Sequence, residues 1–183
     1  MTGLAPRPGA FGAPNLSPPA RPALAPEPVT RNATPLDAPA IADLTRAAWA
    51  AGAPADSSGR LETPQYVLRD LERGLALLVE AEGRLVAALR VLVTPHVWTL
   101  KRLAVHPERR NRGLGAFLMR SALSQARARG ALDAQLAVRA DQPGLAAYYR
   151  RLGFTVTPEL RYSDANCANT PPVVMRCVLG DGR

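Results

Sequence analysis

The stretch HPERRNRGLGAFLMRSAL, from His106 to Leu123, constrains the fold more than any other part of this chain. Its first half is a charged loop carrying Gly113 and Gly115. Its second half is a helix-forming run with no proline and no β-branched residue. The preceding HVWTLKRLAV reads as a strand, and Pro107 removes the next ladder donor. A strand must therefore end and a helix begin within a few residues. Such junctions expose unpaired N–H groups at the positive end of the helix dipole, where anions bind. Glycines there let a ligand approach the backbone without a Cβ in the way. The pattern R-x-x-G-x-G, formed by Arg110, Gly113 and Gly115, predicts a phosphate or pyrophosphate held by the amides of Asn111 to Ala116. The competing reading is a tight strand-to-helix turn with solvated arginines and no ligand. Two other phosphate motifs fail: there is no G-x-x-x-x-G-K-[ST], and Leu118 stands where a dinucleotide fingerprint needs its third glycine.

The rest of the chain reads as one domain behind a tail. Residues 1–28 are rich in Pro, Ala and Gly, with prolines at 6, 8, 14, 18, 19, 22, 26 and 28, too close together for helix or sheet. They predict a disordered or polyproline-like tail, and residues 29–183 a single globular unit. With 47% apolar residues the chain can bury a core. In TPLDAPAIADLTRAAWA, Thr34, Pro35 and Asp37 form a helix start, and Ile41, Leu44, Ala48 and Trp49 recur at helical spacing. Thr63 and Pro64 repeat the signal for a second helix. LALLVEAEGRLVAALRVLV reads as two strands joined at Glu82-Gly83. After the glycine loop, a helix runs to about Arg129 and stops at Gly130. Then follow the strand LDAQLAVRA, the helix PGLAAYYRRLG, the strand FTVTPEL, and PPVVMRCVL closing the sheet.

Charge and cysteines exclude several function classes. Between Lys101 and Arg129 eight cations face Glu108 alone, so nearly all of the net charge of +8 resides there. That segment lacks interleaved aromatics for base stacking, which disfavours nucleic acid as a partner. Cys167 and Cys177 form no CxxC pair and are too few for a disulfide scaffold or a four-cysteine metal site, which fits a reducing compartment. No stretch approaches the roughly 20 apolar residues of a membrane span, and no secretory signal is visible, so a cytoplasmic location without membrane association is expected.

LAVHPERRNRGLGAFLMRSAL, followed by YYRRLGF, resembles the GNAT superfamily of N-acetyltransferases in motif, spacing and element order. VTRNATPLDAPAIADL is similar to that family's opening strand and helix, so the resemblance spans roughly Val29 to Leu179. It implies a mixed α/β fold with a mainly antiparallel, splayed central sheet flanked by helices. It also implies acetyl-CoA as cosubstrate, no metal, and direct attack by a primary amine in a ternary complex. Arg110, Asn111, Arg112, Gly113, Leu114, Gly115 and Ala116 would wrap the pyrophosphate. The main chain of Leu103, Ala104 and Val105 would pair with the pantetheine arm like an added strand, with the Val105 amide facing the developing oxyanion. Tyr149 matches the tyrosine that protonates the leaving thiolate. The acceptor is a small-molecule amine or a protein or peptide amine, and a homodimer fits a family in which dimerisation is common.

One part of the family pattern is missing. HVWTLKRLAV contains no carboxylate, and LAVRADQ places Ala137 where a subgroup carries its basic glutamate, with Gln142 in place of that subgroup's asparagine. Glu80, His96, Asp141 and Glu159 are the remaining candidates for a general base, and His106 has no stronger claim. The alternative reading is a non-catalytic acyl-CoA-binding module with a degenerate site.

Overall fold

A computed structural model describes residues 28–50, 52, 57–159 and 171–180. The tail expected over residues 1–28 lies outside the described residues except for Pro28, as do Cys167 and most of the RYSDANCANTPP loop. Eleven helices and strands follow in chain order: β1 (Thr30–Asn32), α1 (Ala38–Ala50), α2 (Pro64–Glu72), β2 (Gly74–Ala81), β3 (Arg84–Val93), β4 (Val97–Val105), α3 (Leu114–Ala128), β5 (Asp133–Val138), α4 (Pro143–Arg150), β6 (Thr155–Val156) and β7 (Val173–Val178).

The first two helices and the first hairpin begin where the sequence supplies a signal. Thr34 N–H donates to Asp37 Oδ2 at 2.7 Å, and the intervening 3-10 turn, Pro35–Asp37, leads directly into α1. Thr63 caps α2 by accepting from Tyr66 N–H at 3.3 Å. Glu82 and Gly83, both at positive φ, turn β2 into β3 in the geometry that matches the twist of a hairpin.

The strands form a sheet in the order β1-β2-β3-β4-β5-β7-β6. All pairings are antiparallel except β4–β5, which is parallel. The expected mixed α/β architecture with a mainly antiparallel sheet is met. Two details differ from the sequence reading. FTVTPEL pairs as strand only over Thr155–Val156, since it lies at the sheet edge and Pro158 offers no donor. PPVVMRCVL does not form the border of the sheet; β7 is inserted between β5 and β6.

Alternation along the strands sends side chains into two cores. Leu77 and Val79 of β2, Leu89 and Val91 of β3, and Trp98 and Leu100 of β4 pack with Leu118, Met119, Ala122 and Ala126 of α3. Ala76, Leu78, Ala88 and Ala104 meet Ile41, Leu44 and Ala48 of α1 and Val67 of α2. Among the described residues no helix is long and apolar enough to cross a membrane.

Two irregularities position the site. Ala88 pairs with Ala104 while Arg90 pairs with Lys101, so Leu89 faces two residues, Arg102 and Leu103, and β4 bulges there with Arg102 at φ 55°. The β4–β5 ladder then holds for only three pairs, Val97–Asp133 to Thr99–Gln135. Beyond Thr99 the two strands separate, because a bulge bends and twists its strand away from the regular ladder. β5 keeps all six of its residues paired with β7 on its other side.

Candidate functional site

The gap between β4 and β5 opens into a cleft of about 650 Å³. Its walls are Leu100 to Leu103 and Val105 from β4, Leu136 to Val138 from β5 with Arg139 just past it, and Tyr148 and Tyr149 from α4. The start of α3 closes one end, and Ala48 and Trp49 of α1 contribute from above.

The β4 wall is an unpaired strand edge. His106 N–H donates to Val86 O of β3 at 2.9 Å, and main-chain groups of alternate residues point the same way. Ala104 therefore turns its groups toward β3, whereas Leu103 and Val105 turn theirs into the cleft. Ala104 is also 1% exposed, its methyl set among the α1 and α2 side chains. Of the three residues expected to pair with a strand-like ligand, two offer donors and acceptors and Ala104 does not.

At the end of this edge, the loop rises into α3. Gly113, at φ 78°, is the N-cap residue, and the helix has no side-chain cap. Phe117 N–H, donating to Gly113 O at 2.9 Å, makes the first helical bond, which leaves the amides of Leu114, Gly115 and Ala116 at the open end of the helix. A Cβ on Gly113 would meet nothing within 4 Å, so this glycine serves the left-handed turn and leaves open space over the amides. Gly115 has a different reason. A Cβ there would stand 3.2 Å from the Tyr148 hydroxyl and 3.5 Å from Leu103 Cδ2.

The arginines divide. Arg110, which lines the cleft, donates from Nη2 to the carbonyl of Ala48 and so ties the loop to the end of α1. Arg109 lines the cleft and pairs with Glu82 at 2.8 Å, while Arg112, expected in the cradle, is exposed and outside the cleft lining. Asn111, at φ 60°, and Gly113 to Ala116 all line it.

Tyr149 stands on the far wall, edge-on to Tyr148 with ring centroids 5.1 Å apart and to Phe154 at 6.1 Å. Burial, and to a smaller extent the neighbouring Tyr148, push its phenol well above the usual value of 10.0, so it keeps its proton at neutral pH. Burial raises Tyr148 as well, against the opposing pull of Arg120 and Arg151.

None of the base candidates lines the cleft. Glu80 is paired with Arg31 at the β1 side of the sheet. His96 lies in the β3–β4 turn, where its carbonyl accepts from Leu132 and Asp133. Asp141 sits beside the cleft in a two-pronged pair with Arg139, at 2.9 and 2.6 Å, which lowers its pKa. Glu159 is exposed beyond β6, and His106 is at the loop entrance. Among the described residues, the cleft lining contains no Asp, Glu or His, and none form a group of three or more His, Cys, Asp or Glu able to hold a metal.

Several cleft features carry no sequence signal. Trp49, placed in the core by its helical spacing, is only partly buried and lies under the Arg102 guanidinium, whose carbon is 5.4 Å from the ring centroid. Gly59 lies directly against that ring, since a Cβ there would come within 2.2 Å of it. Behind the wall, Glu62 and Asp70 share the charge of buried Arg90. Glu62 also accepts from Arg102 Nε at 2.8 Å, and Asp70 pairs with Lys101 at 3.2 Å.

Comparison with known proteins gives the family and the fold. A family model described as "Acetyltransferase (GNAT) family" matches residues 39–154. The [ribosomal protein bS18]-alanine N-acetyltransferase of Salmonella typhimurium is 35% identical over 83 residues, 45% of this chain and 56% of that protein, so the chain spans about half the length of this curated relative. The solved ribosomal-protein-S18-alanine N-acetyltransferase of Escherichia coli superposes with a TM-score of 0.70 at 21% identity, over 85% of this chain and 96% of that one. PaiA N-acetyltransferase of Thermoplasma acidophilum, in complex with coenzyme A, gives 0.68 at 18% identity over 82% and 98%. A GNAT family acetyltransferase of Brucella melitensis in complex with acetyl-CoA gives 0.61 at 23% identity over 84% and 89%. At these identities the structural likeness speaks to the fold.

Proposed function

Since the chain belongs to the GNAT acetyltransferase family, we propose that it transfers acetyl from acetyl-CoA to a primary amine, by direct attack with both substrates bound together. The observation that carries this reading is the continuous line from the open edge of β4 to the uncapped end of α3. Acetyl-CoA has the matching polarity, with an amide-bearing arm for the strand edge and a pyrophosphate for the helix N-terminus. What it supplies is an acetyl group activated as a thioester.

The chain's own residues divide the remaining tasks. The amides of Leu114 to Ala116 and the Asn111–Gly113 turn hold the pyrophosphate. Leu103 and Val105 align the arm through their main chain, and Val105 N–H donates to the carbonyl oxygen as negative charge develops on it. Tyr149, protonated at neutral pH, delivers its proton to the departing sulfur.

A lining with no Asp, Glu or His among the described residues leaves deprotonation to the acceptor and solvent. An α-amine near pKa 7.7–8.0 is about a tenth neutral at pH 7, against on the order of one part in a thousand for a lysine. The reading therefore favours an α-amine, the class acted on by the ribosomal-protein alanine N-acetyltransferases it resembles. The residues of 29–183 would act as one domain, with the preceding segment outside the chemistry.

Calorimetric titration with acetyl-CoA, desulfo-CoA and ATP, followed by a thiol-release screen over α-amines and lysine amines, tests the proposal. Micromolar binding of both coenzyme A ligands, much weaker ATP binding, and acetylated α-amine product support it. Binding without product across the panel would return the chain to the reading of a non-catalytic acyl-CoA-binding module. No coenzyme A binding by folded protein would leave Gly113 and Gly115 as turn residues only.

A further inference from the structure

Among the cations of the cleft lining that the reading above does not use is Arg102. Arg102 lies in the β4 bulge three residues past the last β4–β5 pair, and three before Val105. A non-glycine residue at φ 55° costs about 1–2 kcal/mol. That strained backbone brings a guanidinium into the cleft lining, with the side chain 22% exposed.

Its orientation is set from two directions. Nε donates to Glu62 Oε2 at 2.8 Å, and the guanidinium carbon rests 5.4 Å from the Trp49 ring centroid. Trp49 is in turn held by Gly59, where a Cβ would come within 2.2 Å of its ring. Glu62 cannot neutralise Arg102 fully, because the same Oε2 pairs with Arg90, which is 1% exposed. With Nε taken, Nη1 and Nη2 remain as two parallel donors. Among the described residues neither has a hydrogen-bond partner. A planar fork of this kind matches a carboxylate bidentately. The lining also offers such an anion no competing Asp or Glu among the described residues.

The cofactor's own charges do not fill this position. In the proposed pose the phosphates lie at Asn111 to Ala116, and the arm runs back along Val105 and Leu103, so the uncharged acyl end arrives beside Arg102. We infer that Arg102 is an acceptor-binding residue that selects a primary amine carrying a carboxylate near the amine. This rests on the acetyl-transfer reading for the identity of the second substrate. The carboxylate belongs either to a free amino acid or to an acidic side chain at the start of a peptide, and two probe series separate these sources.

The full chain, saturated with desulfo-CoA, is titrated calorimetrically with glycine, L-alanine, β-alanine and L-glutamate, each against its carboxyl amide. The second series sets C-terminally amidated alanyl-aspartate and alanyl-glutamate peptides against their asparagine and glutamine counterparts. In at least one series the carboxylate member should bind about tenfold or more tightly than its amide, the usual worth of a hydrogen-bonded charge pair. Arg102→Gln should abolish that difference while leaving desulfo-CoA affinity unchanged, and Arg102→Lys should retain part of it.

Equal binding of carboxylates and amides by the unaltered chain in both series would overturn the proposal, whatever becomes of the variants. Undiminished discrimination in folded Arg102→Gln would also overturn it, as would loss of desulfo-CoA affinity there. Thiol release is read separately. Discrimination without product keeps the anion site and sinks acetyl transfer, whereas product without discrimination does the reverse.

Discussion

At Tyr149 and at Gly113 and Gly115 of the proposed cradle, single atoms test the proposed chemistry. Removing the phenolic oxygen should leave the edge-on contacts with Tyr148 and Phe154 in place, so Tyr149→Phe tests the proton alone. Turnover should fall about 100-fold, within the range for general acids, with acetyl-CoA affinity nearly unchanged; unaltered turnover removes Tyr149 from the mechanism. Because burial raises its pKa above 10.0, Tyr149 contributes no loss of rate on the alkaline side up to that value. With no Asp, Glu or His among the described residues of the lining, kcat/KM should climb with pH until it levels at the acceptor amine's own pKa. A plateau that stays put when acceptors of different pKa are compared would reveal a base the cleft lining does not contain. Gly113→Ala and Gly115→Ala separate two kinds of glycine. The first meets open space but strains a backbone at φ 78°, costing about 1–2 kcal/mol by thermal melting, while the second must push the Tyr148 hydroxyl aside. That Asn111 and Gly113 to Ala116 share one loop was legible because they are adjacent in sequence, and Tyr149 was placed by a family motif on a helix that lines the same cleft. Arg102 was not legible, since its bulge exists only through the pairing of β3 with β4.

At the level of helices and strands, boundaries were readable wherever the sequence carries its own punctuation. Thr34 and Thr63, the Glu82-Gly83 turn, Gly113 and Gly130 all fall at the ends they predict. The α1 start yields a test with a defined sign. Asp37 accepts from Thr34 N–H and from Arg31, whose guanidinium holds its carboxyl well below the usual 3.8. A depressed folded pKa means that this stabilisation is fully present above 3.8 and is lost as pH falls toward the folded value. Asp37→Ala should therefore lower stability by about 0.5–2 kcal/mol at pH 7, and the gap to the unaltered chain should close in strong acid. Denaturant melts at both pH values check it. Arg90 makes a harsher case, since it lies between Glu62 and Asp70 at 1% exposure. Arg90→Ala should cost about 3–5 kcal/mol, because it removes the buried cation that Glu62 and Asp70 share and leaves them only the partly exposed Arg102 and Lys101. Nothing in the spacing of Glu62, Asp70 and Arg90 announces this network, which forms only when α2 packs on the sheet.

Over the whole molecule, charge and chain order govern behaviour. Lys101, Arg102, Arg109 and Arg110 all line the cleft, so association with polyanionic coenzyme A should slow as salt rises. Stopped-flow binding across ionic strength checks this; a salt-independent rate would confine those charges to local pairs. The order of elements along the chain was legible, but the place of β7 was not, because adjacency in a sheet is decided by long-range pairing. That placement has a consequence for synthesis. β1 to β4 each pair with a sequence neighbour and can assemble as they leave the ribosome, while β5 must wait for Val173–Val178 before its longer ladder exists. The nascent chain can thus bury its first core early and yet lack one wall of the cleft until its last described strand emerges.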